Sequence, residues 1–136
     1  MKTTQIELTN EAIFRSLQAL ERVKLEKGAV PFDVSYTLGL NMSFLRKAVE
    51  DYQEALNKIY REHCKLENGA PVMTEDRLDY VYKSGKDKRE AIEERDALGD
   101  VAISLPLYIY PLSAFEKADI PHTLLEHLLW MITMDS

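Results

Sequence analysis

This sequence has little cysteine, glycine and proline and no long apolar run. These scarcities disfavour disulfides, extended disorder and membrane-spanning helices. Its 136 residues include one cysteine, Cys64, so no disulfide can form within the chain. A single unpaired thiol suits a reducing compartment. No apolar run approaches the ~18 residues of a membrane-spanning helix. Five glycines and five prolines are too few for a collagen-like or disordered chain. The first ten residues are polar, so we expect no signal peptide and a cytoplasmic location.

The balance of charge is acidic. Twenty-three Asp and Glu residues against 17 Lys and Arg residues give a formal net charge of −6. A nucleic-acid-binding domain typically carries a basic surface, and an anionic lipid surface repels a negative chain. We therefore expect neither nucleic acid nor a membrane as partner, and interpret the charge as an aid to solubility. With 46% hydrophobic residues the chain can form a core as a single domain over residues 1–136.

Two amphipathic segments predict a pair of helices. Thr9 or Asn10 caps the first helix, and Gly28 ends it. The second helix begins near Asp33 and ends at Asn68-Gly69, a pair typical of a helix C-terminus. Its apolar positions step by four and three in alternation and form a seam of core-type positions: Leu38, Met42, Leu45, Val49, Tyr52, Leu56, Ile59, His63 and Leu66.

This seam leaves two alternatives open. In one, the helix pairs with a partner chain as a coiled coil; in the other, it is the spine of an intramolecular bundle. Small and neutral residues flank the seam, among them Ala48, Gln53 and Ala55, where a self-sufficient coiled coil usually carries Glu and Lys. These flanks favour the intramolecular spine. The far end of the helix then needs cover from C-terminal elements or from a second subunit.

The middle of the chain is polar and contains a third helix. Residues 78–82 fit either a short strand or a helical turn, and the pattern does not separate the two. Ser84 or Asp87 caps a helix that runs to Leu98, after which Gly99 stops it.

The C-terminal part combines a strand with apolar helices. Apolar residues alternate from Val101 to Ile109, which predicts a strand. Pro106 places that strand at a sheet edge or bends it. A capping-box match at residues 113–116 predicts a short helix, and Pro121 begins a final apolar helix.

Together these elements predict a mainly α fold with a small β element, of the α+β class. We expect an antiparallel helical hairpin with a long second helix at about residues 9–68. A charged connector and the third helix follow at about residues 69–99. A C-terminal strand and the final helix occupy about residues 100–134.

The spacing of chemically active residues argues against catalysis. A zincin site needs two histidines four residues apart, whereas His122 and His127 are five apart, which turns their side chains by about 140° on a helix. His63 and Cys64 are neighbours that point about 100° apart. Residues 84–86 resemble the end of a phosphate-binding loop but lack its first glycine and its final Ser or Thr. We therefore predict a non-enzyme with no catalytic, metal-binding or cofactor-binding residues.

Two groups of residues are candidates for contact with a partner or an anion. The first is a basic cluster near a predicted helix N-terminus: Lys83, Lys86, Lys88 and Arg89. A solvated charged face is the alternative interpretation of this cluster. The second group is aromatic and lies on the predicted edge strand and final helix: Tyr108, Tyr110 and Trp130. Partial burial against the final helix is the alternative interpretation of this group.

Three stretches, taken in order, resemble an uncharacterised family of small phage and prophage proteins, a domain of unknown function. They are IELTNEAIFRSLQAL, VPFDVSYTLGLNMSFLRKAVEDYQEALNKIYREH and DVAISLPLYIYPLSAFEKADIPHTLLEHLLWMI. Residues 67–97 match worst. The resemblance implies a viral or prophage origin and supplies no catalytic residues.

We therefore expect a non-enzymatic phage or prophage protein that acts through protein–protein interaction in the cytoplasm of the host cell. Its partner is a protein of host or phage origin, and homo-oligomerisation is compatible with the pattern. Inhibition of a host defence system and a role in virion or tail assembly both fit. The alternative is a small-ligand or nucleotide-binding protein that uses the basic cluster at residues 83–89.

Overall fold

The computed structural model describes residues 1–134, and the chain divides into two compact units. Unit 1 combines Met1–Val49 with the residues from Ala102 onward, and unit 2 is Glu50–Val101. The chain is 53% helical and 18% strand, so the predicted α+β class is confirmed. The single domain over residues 1–136 stays a prediction. Within residues 1–134, no helix combines the length and the apolar character that crossing a membrane requires.

Four helices and six strands make up the described residues. The helices are α1 (Asn10–Arg22), α2 (Phe32–His63), α3 (Gly85–Gly99) and α4 (His122–Leu125). The strands are β1 (Thr4–Thr9), β2 (Leu66–Glu67), β3 (Ala70–Pro71), β4 (Ala102–Leu107), β5 (Tyr110–Pro111) and β6 (Ile132–Thr133). Single 3-10 turns lie at Leu112–Phe115 and Leu129–Met131. The pairs β1–β4 and β2–β3 are antiparallel, and β5–β6 is parallel.

Helix α1 begins where predicted and ends earlier than predicted. The Thr9 hydroxyl caps it by accepting the Ala12 N–H at 3.1 Å. The helix ends at Arg22, because Val23 takes an extended conformation and packs against the core. Gly28, the predicted end, instead occupies a turn with φ of +85°.

The predicted end of α2 at Asn68-Gly69 is wrong. The helix stops at His63, and Asn68 and Gly69 form the two-residue turn of the β2–β3 hairpin. Both residues have positive φ, 55° and 80°, as the tight turns that match the twist of paired strands require. Asn-Gly serves a helix end and a hairpin turn equally well, because both need the left-handed conformation.

Residues 78–82 form neither of the predicted elements. They run past the end of α2 with single bridges from Tyr82 to Cys64 and from Tyr80 to Met73. The Tyr80 ring stacks on that of Tyr60 with ring centroids 4.1 Å apart.

The core of unit 1 gathers side chains from α1, α2 and the C-terminal segment. Leu38, Leu45 and Val49 of the α2 seam are buried in it, so this part of the seam packs within the chain. Other buried members are Ile13, Leu17, Leu20, Leu107, Tyr110, Phe115, Leu128 and Met131. In unit 2 the seam residues Tyr52, Leu56 and Ile59 are half-buried.

A buried asparagine ends strand β4. Asn41 is fully buried; its Oδ1 accepts the Tyr108 N–H at 2.8 Å, and its Nδ2 donates to the Tyr108 carbonyl at 3.0 Å. These bonds replace the ladder to β1, whose last pair is Thr4 with Leu107. The strand is therefore shorter than predicted, and its alternation stops. Tyr110, rather than Ile109, enters the core.

The predicted final helix is wrong beyond its first turn. After α4, the Ser16 hydroxyl lies 3.0 Å from the His127 carbonyl oxygen in a hydrogen bond that draws this segment onto α1. Leu128 and Met131 both reach the core, and the chain then pairs as β6 with β5. The predicted capping-box helix at residues 113–116 is instead the 3-10 turn, without a side-chain cap.

The Asn41 hydrogen bonds lead to a first prediction. Replacing Asn41 by Ala leaves the Tyr108 N–H and C=O without these partners in a buried site. We expect Asn41→Ala to lower the free energy of unfolding by about 2–4 kcal/mol, measured by urea denaturation. The control is Asn57→Ala, the same change at an exposed position of α2, expected to change it by less than about 0.5 kcal/mol. Equal losses in the two variants would contradict this account.

A second prediction concerns Tyr110. Burial raises the pKa of Tyr110 to about 12, and its hydroxyl lies 2.7 Å from that of Thr37 in a hydrogen bond. A folded-state pKa above the unfolded value of about 10 contributes stability that is present below pH 10 and lost as the pH rises toward 12. We expect Tyr110→Phe to lower the free energy of unfolding by about 1 kcal/mol at pH 7. That deficit should shrink at pH 11, because the variant has no phenol to ionise. Urea denaturation at both pH values measures it, and a constant deficit would contradict the prediction.

Candidate functional site

Helix α2 presents an uncharged face to solvent in unit 1. Between Asp33 and Arg46 it carries no Lys, Arg, Asp or Glu. Three aromatic residues on this stretch or directly before it are exposed: Phe32 by 84%, Tyr36 by 62% and Phe44 by 39%. The rings of Phe32 and Tyr36 stack with centroids 6.4 Å apart. Exposed aromatic residues grouped in this way are typical of contact surfaces.

The shape of this surface is a ridge beside a groove. Large side chains follow one another at four-residue spacing, which makes a ridge on a helix: Phe32, Tyr36, Leu40 and Phe44. A parallel row of small residues makes the groove: Ser35, Gly39 and Ser43. We call these seven residues the α2 face. A Cβ added at Gly39 would meet nothing within 4 Å, so no contact among the described residues requires the glycine there.

A cavity of about 300 Å³ lies beside the groove. Ser35 and Gly39 contribute to its wall, and the rest of the lining is apolar, including Met42, Phe115 and Ile120. Glycine at position 39 costs a helix roughly 1 kcal/mol relative to alanine. The cavity next to it is an apolar recess within reach of the α2 face.

A second cluster of side chains lies in unit 2 around His63, the last residue of α2. His63 is only 6% exposed. Its Nδ1 lies 2.9 Å from Asp87 Oδ1, and its Nε2 lies 3.0 Å from Glu94 Oε2. Two further carboxylates approach the ring to 3.9 Å, Glu62 at Nε2 and Glu90 at Nδ1. We call these five residues the His63 cluster.

The N-terminal cap of α3 holds this cluster in place. The Ser84 hydroxyl accepts the Asp87 N–H at 3.1 Å, which confirms the predicted cap, and donates to Asp87 Oδ2 at 2.9 Å. The other oxygen of Asp87 is thereby directed at His63. On the other side, the His63 carbonyl accepts the Lys83 N–H at 2.9 Å. The Ser84 hydroxyl therefore orients the Asp87 carboxylate, and a backbone hydrogen bond fixes the main chain at His63.

The electrostatics follow from these contacts. The hydrogen bond to Asp87 raises the pKa of His63 above its ordinary value; burial opposes this, and Glu94 adds to it. The pKa of Asp87 is lowered, first by His63 and then by Ser84. The neighbouring Cys64 is fully buried, and burial raises the pKa of its thiol, so it is a poor nucleophile.

The predicted basic cluster lies before and along the start of α3, with its side chains exposed. Three of its four cations already have protein oxygens as partners, which weakens the case for an anion site. Lys83 donates to the Glu62 carbonyl at 2.9 Å, Lys86 lies 3.7 Å from Glu90, and Lys88 lies 4.0 Å from Asp79. Arg89 is exposed.

The predicted aromatic contact surface is not assembled. Tyr110 is completely buried, so its candidacy as a contact residue is corrected here. Tyr108 and Trp130 are half-buried, and the Trp130 indole N–H donates to the Ser16 hydroxyl at 2.9 Å. Because β4 ends before Tyr108, the two tyrosines do not share the polar face of one strand.

The structure also does not bring the two C-terminal histidines together. His122 begins α4 and is exposed, and His127 pairs with Glu126 at 3.4 Å.

Within residues 1–134, every group of three or more side chains arranged to bind a metal ion contains His63. Sequence reasoning missed this cluster because its members come from separate helices. It also missed the α2 face, for which the uncharged stretch of residues 34–45 was an available signal.

Comparison of the chain with protein-family models, curated proteins and solved structures gives no match. The phage origin implied by resemblance therefore stays a prediction, and the functional argument rests on the geometry of the two units.

Proposed function

We propose that this chain is a non-enzymatic phage or prophage protein that acts through protein–protein interaction, with the α2 face as its contact surface. The observation that carries the proposal is the exposure of the stacked Phe32 and Tyr36 rings on an uncharged helix face. Aromatic side chains bury about 150–250 Å² each at contacts and are enriched at the centres of interfaces. Removing them from water is the driving force for a partner to bind here.

The occupant that fits the α2 face is a second copy of this chain. Consider an antiparallel helix pair whose two-fold axis lies between Gly39 and Leu40. A residue a given number of positions before the axis then faces the residue the same number of positions after it in the other chain. Within residues 35–44, large residues then face small ones: Tyr36 faces Ser43, Leu40 faces Gly39, and Phe44 faces Ser35. Phe32, at the end of the ridge, faces Lys47. The ridge of one copy therefore fits the groove of the other. Such packing needs ridges and grooves with the same four-residue spacing, which the α2 face provides.

Charge supports the same arrangement. Asp33 and Arg46, which bound the uncharged stretch, face each other across this two-fold axis. The Arg46 side chain is 54% exposed and lies 3.9 Å from Glu21, so the existing ion pair is a weak surface one. Opposite charges at the two ends set the antiparallel orientation, because a parallel pair places like charges together.

Inhibition of a host defence system and a role in virion or tail assembly are the two biological roles that we propose for such a protein. A symmetric dimer presents each remaining surface twice, which increases avidity for a repetitive or oligomeric target. The alternative, nucleotide binding through the basic cluster, is weaker because three of its lysines already have protein partners.

Sedimentation analysis over micromolar to near-millimolar protein tests self-association. We expect the unaltered chain to dimerise and Tyr36→Asp to remain a folded monomer, because two buried carboxylates would replace two aromatic contacts. Leu78→Asp is the matched control: Leu78 is 85% exposed in unit 2, so the same change should leave the dimer intact. A monomeric unaltered chain at the highest concentration overturns pairing through the α2 face.

A charge-reversal pair tests the orientation. Asp33→Lys and Arg46→Glu should each weaken self-association, because each homodimer then contains two like-charge contacts. An equimolar mixture of the two variants should associate at least as well as the unaltered chain, since both contacts across the axis are again between opposite charges. Failure of the mixture to associate, with each variant folded, excludes the antiparallel arrangement.

A further inference from the structure

We infer that the His63 cluster binds one divalent transition-metal ion, with His63 Nε2 and the carboxylates of Glu62 and Glu94 as protein ligands. Imidazole nitrogen and carboxylate oxygen are donors that zinc accepts in proteins, usually with a water molecule completing the coordination. This inference concerns unit 2 and goes beyond the protein-contact function proposed for the α2 face in unit 1.

The imidazole is oriented as a metal-bound histidine needs to be. Asp87 lies at Nδ1 and accepts its proton in a hydrogen bond, and Nε2 faces Glu94, where a bound ion would take the place of the Nε2 proton. Metal-binding histidines characteristically donate their other ring N–H to such a carboxylate. Asp87 is itself held by Ser84 at the α3 cap, so this orientation exists before any ion binds.

The three ligand atoms lie close enough to share one ion. They are all within 4.8 Å of one another, with Glu94 Oε2 at 3.0 Å and Glu62 Oε2 at 3.9 Å from Nε2. Ligands about 2.1 Å from a tetrahedral zinc ion stand roughly 3.4 Å apart, so the distance of each carboxylate oxygen from Nε2 is within about half an ångström of what zinc requires. The side chains of Glu62 and Glu94 are 72% and 46% exposed, which gives an ion and its water molecules access.

The charge balance of the cluster favours a cation. Carboxylates of Glu62, Asp87, Glu90 and Glu94 lie within 4 Å of the ring. Lys86 lies 3.7 Å from Glu90, and the positive charge of Lys83 acts on Asp87. These two lysines leave part of the negative charge of the four carboxylates unbalanced, and a bound divalent ion offsets it.

Zinc titration of the full chain, stripped of metal with a chelator, tests the site. We expect saturable binding of one zinc ion per chain and a rise in the melting temperature, since the ion joins α2 to α3 only in the folded state. Glu94→Gln should weaken zinc affinity at least tenfold, and Asp87→Asn should weaken it by about 10–100-fold through loss of the imidazole orientation.

Glu93→Gln is the matched control, because Glu93 is an exposed neighbour outside the cluster. It should bind zinc as the unaltered chain does. Circular dichroism of the metal-free variants checks that each is folded. If Glu94→Gln does not fold, Glu62→Gln provides a second variant, because Glu62 is the most exposed ligand. Absence of saturable binding at millimolar zinc overturns the site, and the cluster is then an ion-pair network alone. Binding that Glu94→Gln and Glu62→Gln leave unchanged also overturns it and points to another ligand set, either His63 with Asp87 and Glu90 or the C-terminal histidines.

Discussion

Unit 1 depends on two hydrogen bonds made by one buried side chain. Asn41 occupies both backbone groups of Tyr108, so β4 stops there. Tyr110 then turns inward, where its ring meets Phe115 edge-on with centroids 5.6 Å apart. Its backbone pairs with Ile132, which holds the C-terminal segment as a short strand. Because an amide side chain can satisfy an N–H and a C=O at once, one residue replaces a missing strand neighbour.

Helix α2 carries three different surfaces because its residues turn by about 100° each. The seam around Leu38 and Leu45 is buried, while the ridge through Tyr36 lies on the solvent side. The apolar side that suggested a coiled coil is therefore used inside unit 1. The opposite side, uncharged over residues 34–45, is the one for which we propose a partner. The last turn at His63 contributes to the cluster in unit 2.

Local signals predicted much of the helical framework. The caps at Thr9 and Ser84 follow from side chains that satisfy helix N–H groups within three residues, and both are present. Strand β1 was missed, because its alternation of polar and apolar residues is short and it is stabilised by pairing with β4, some hundred residues away. The final helix was over-predicted, because the contacts of Ser16 with this segment compete with helical hydrogen bonds.

By itself, the sequence determined the α+β class, the start of α1, the cap of α3, the apolar seam of α2 and the absence of an internal disulfide. Each of these depends on residues within a few positions of one another or on composition alone. Only the tertiary structure decided that Tyr110 is buried, and that His63 meets Asp87 and Glu94, which lie 24 and 31 residues further along. The physical reason is that local pattern specifies which side of an element is apolar, whereas packing decides which elements meet.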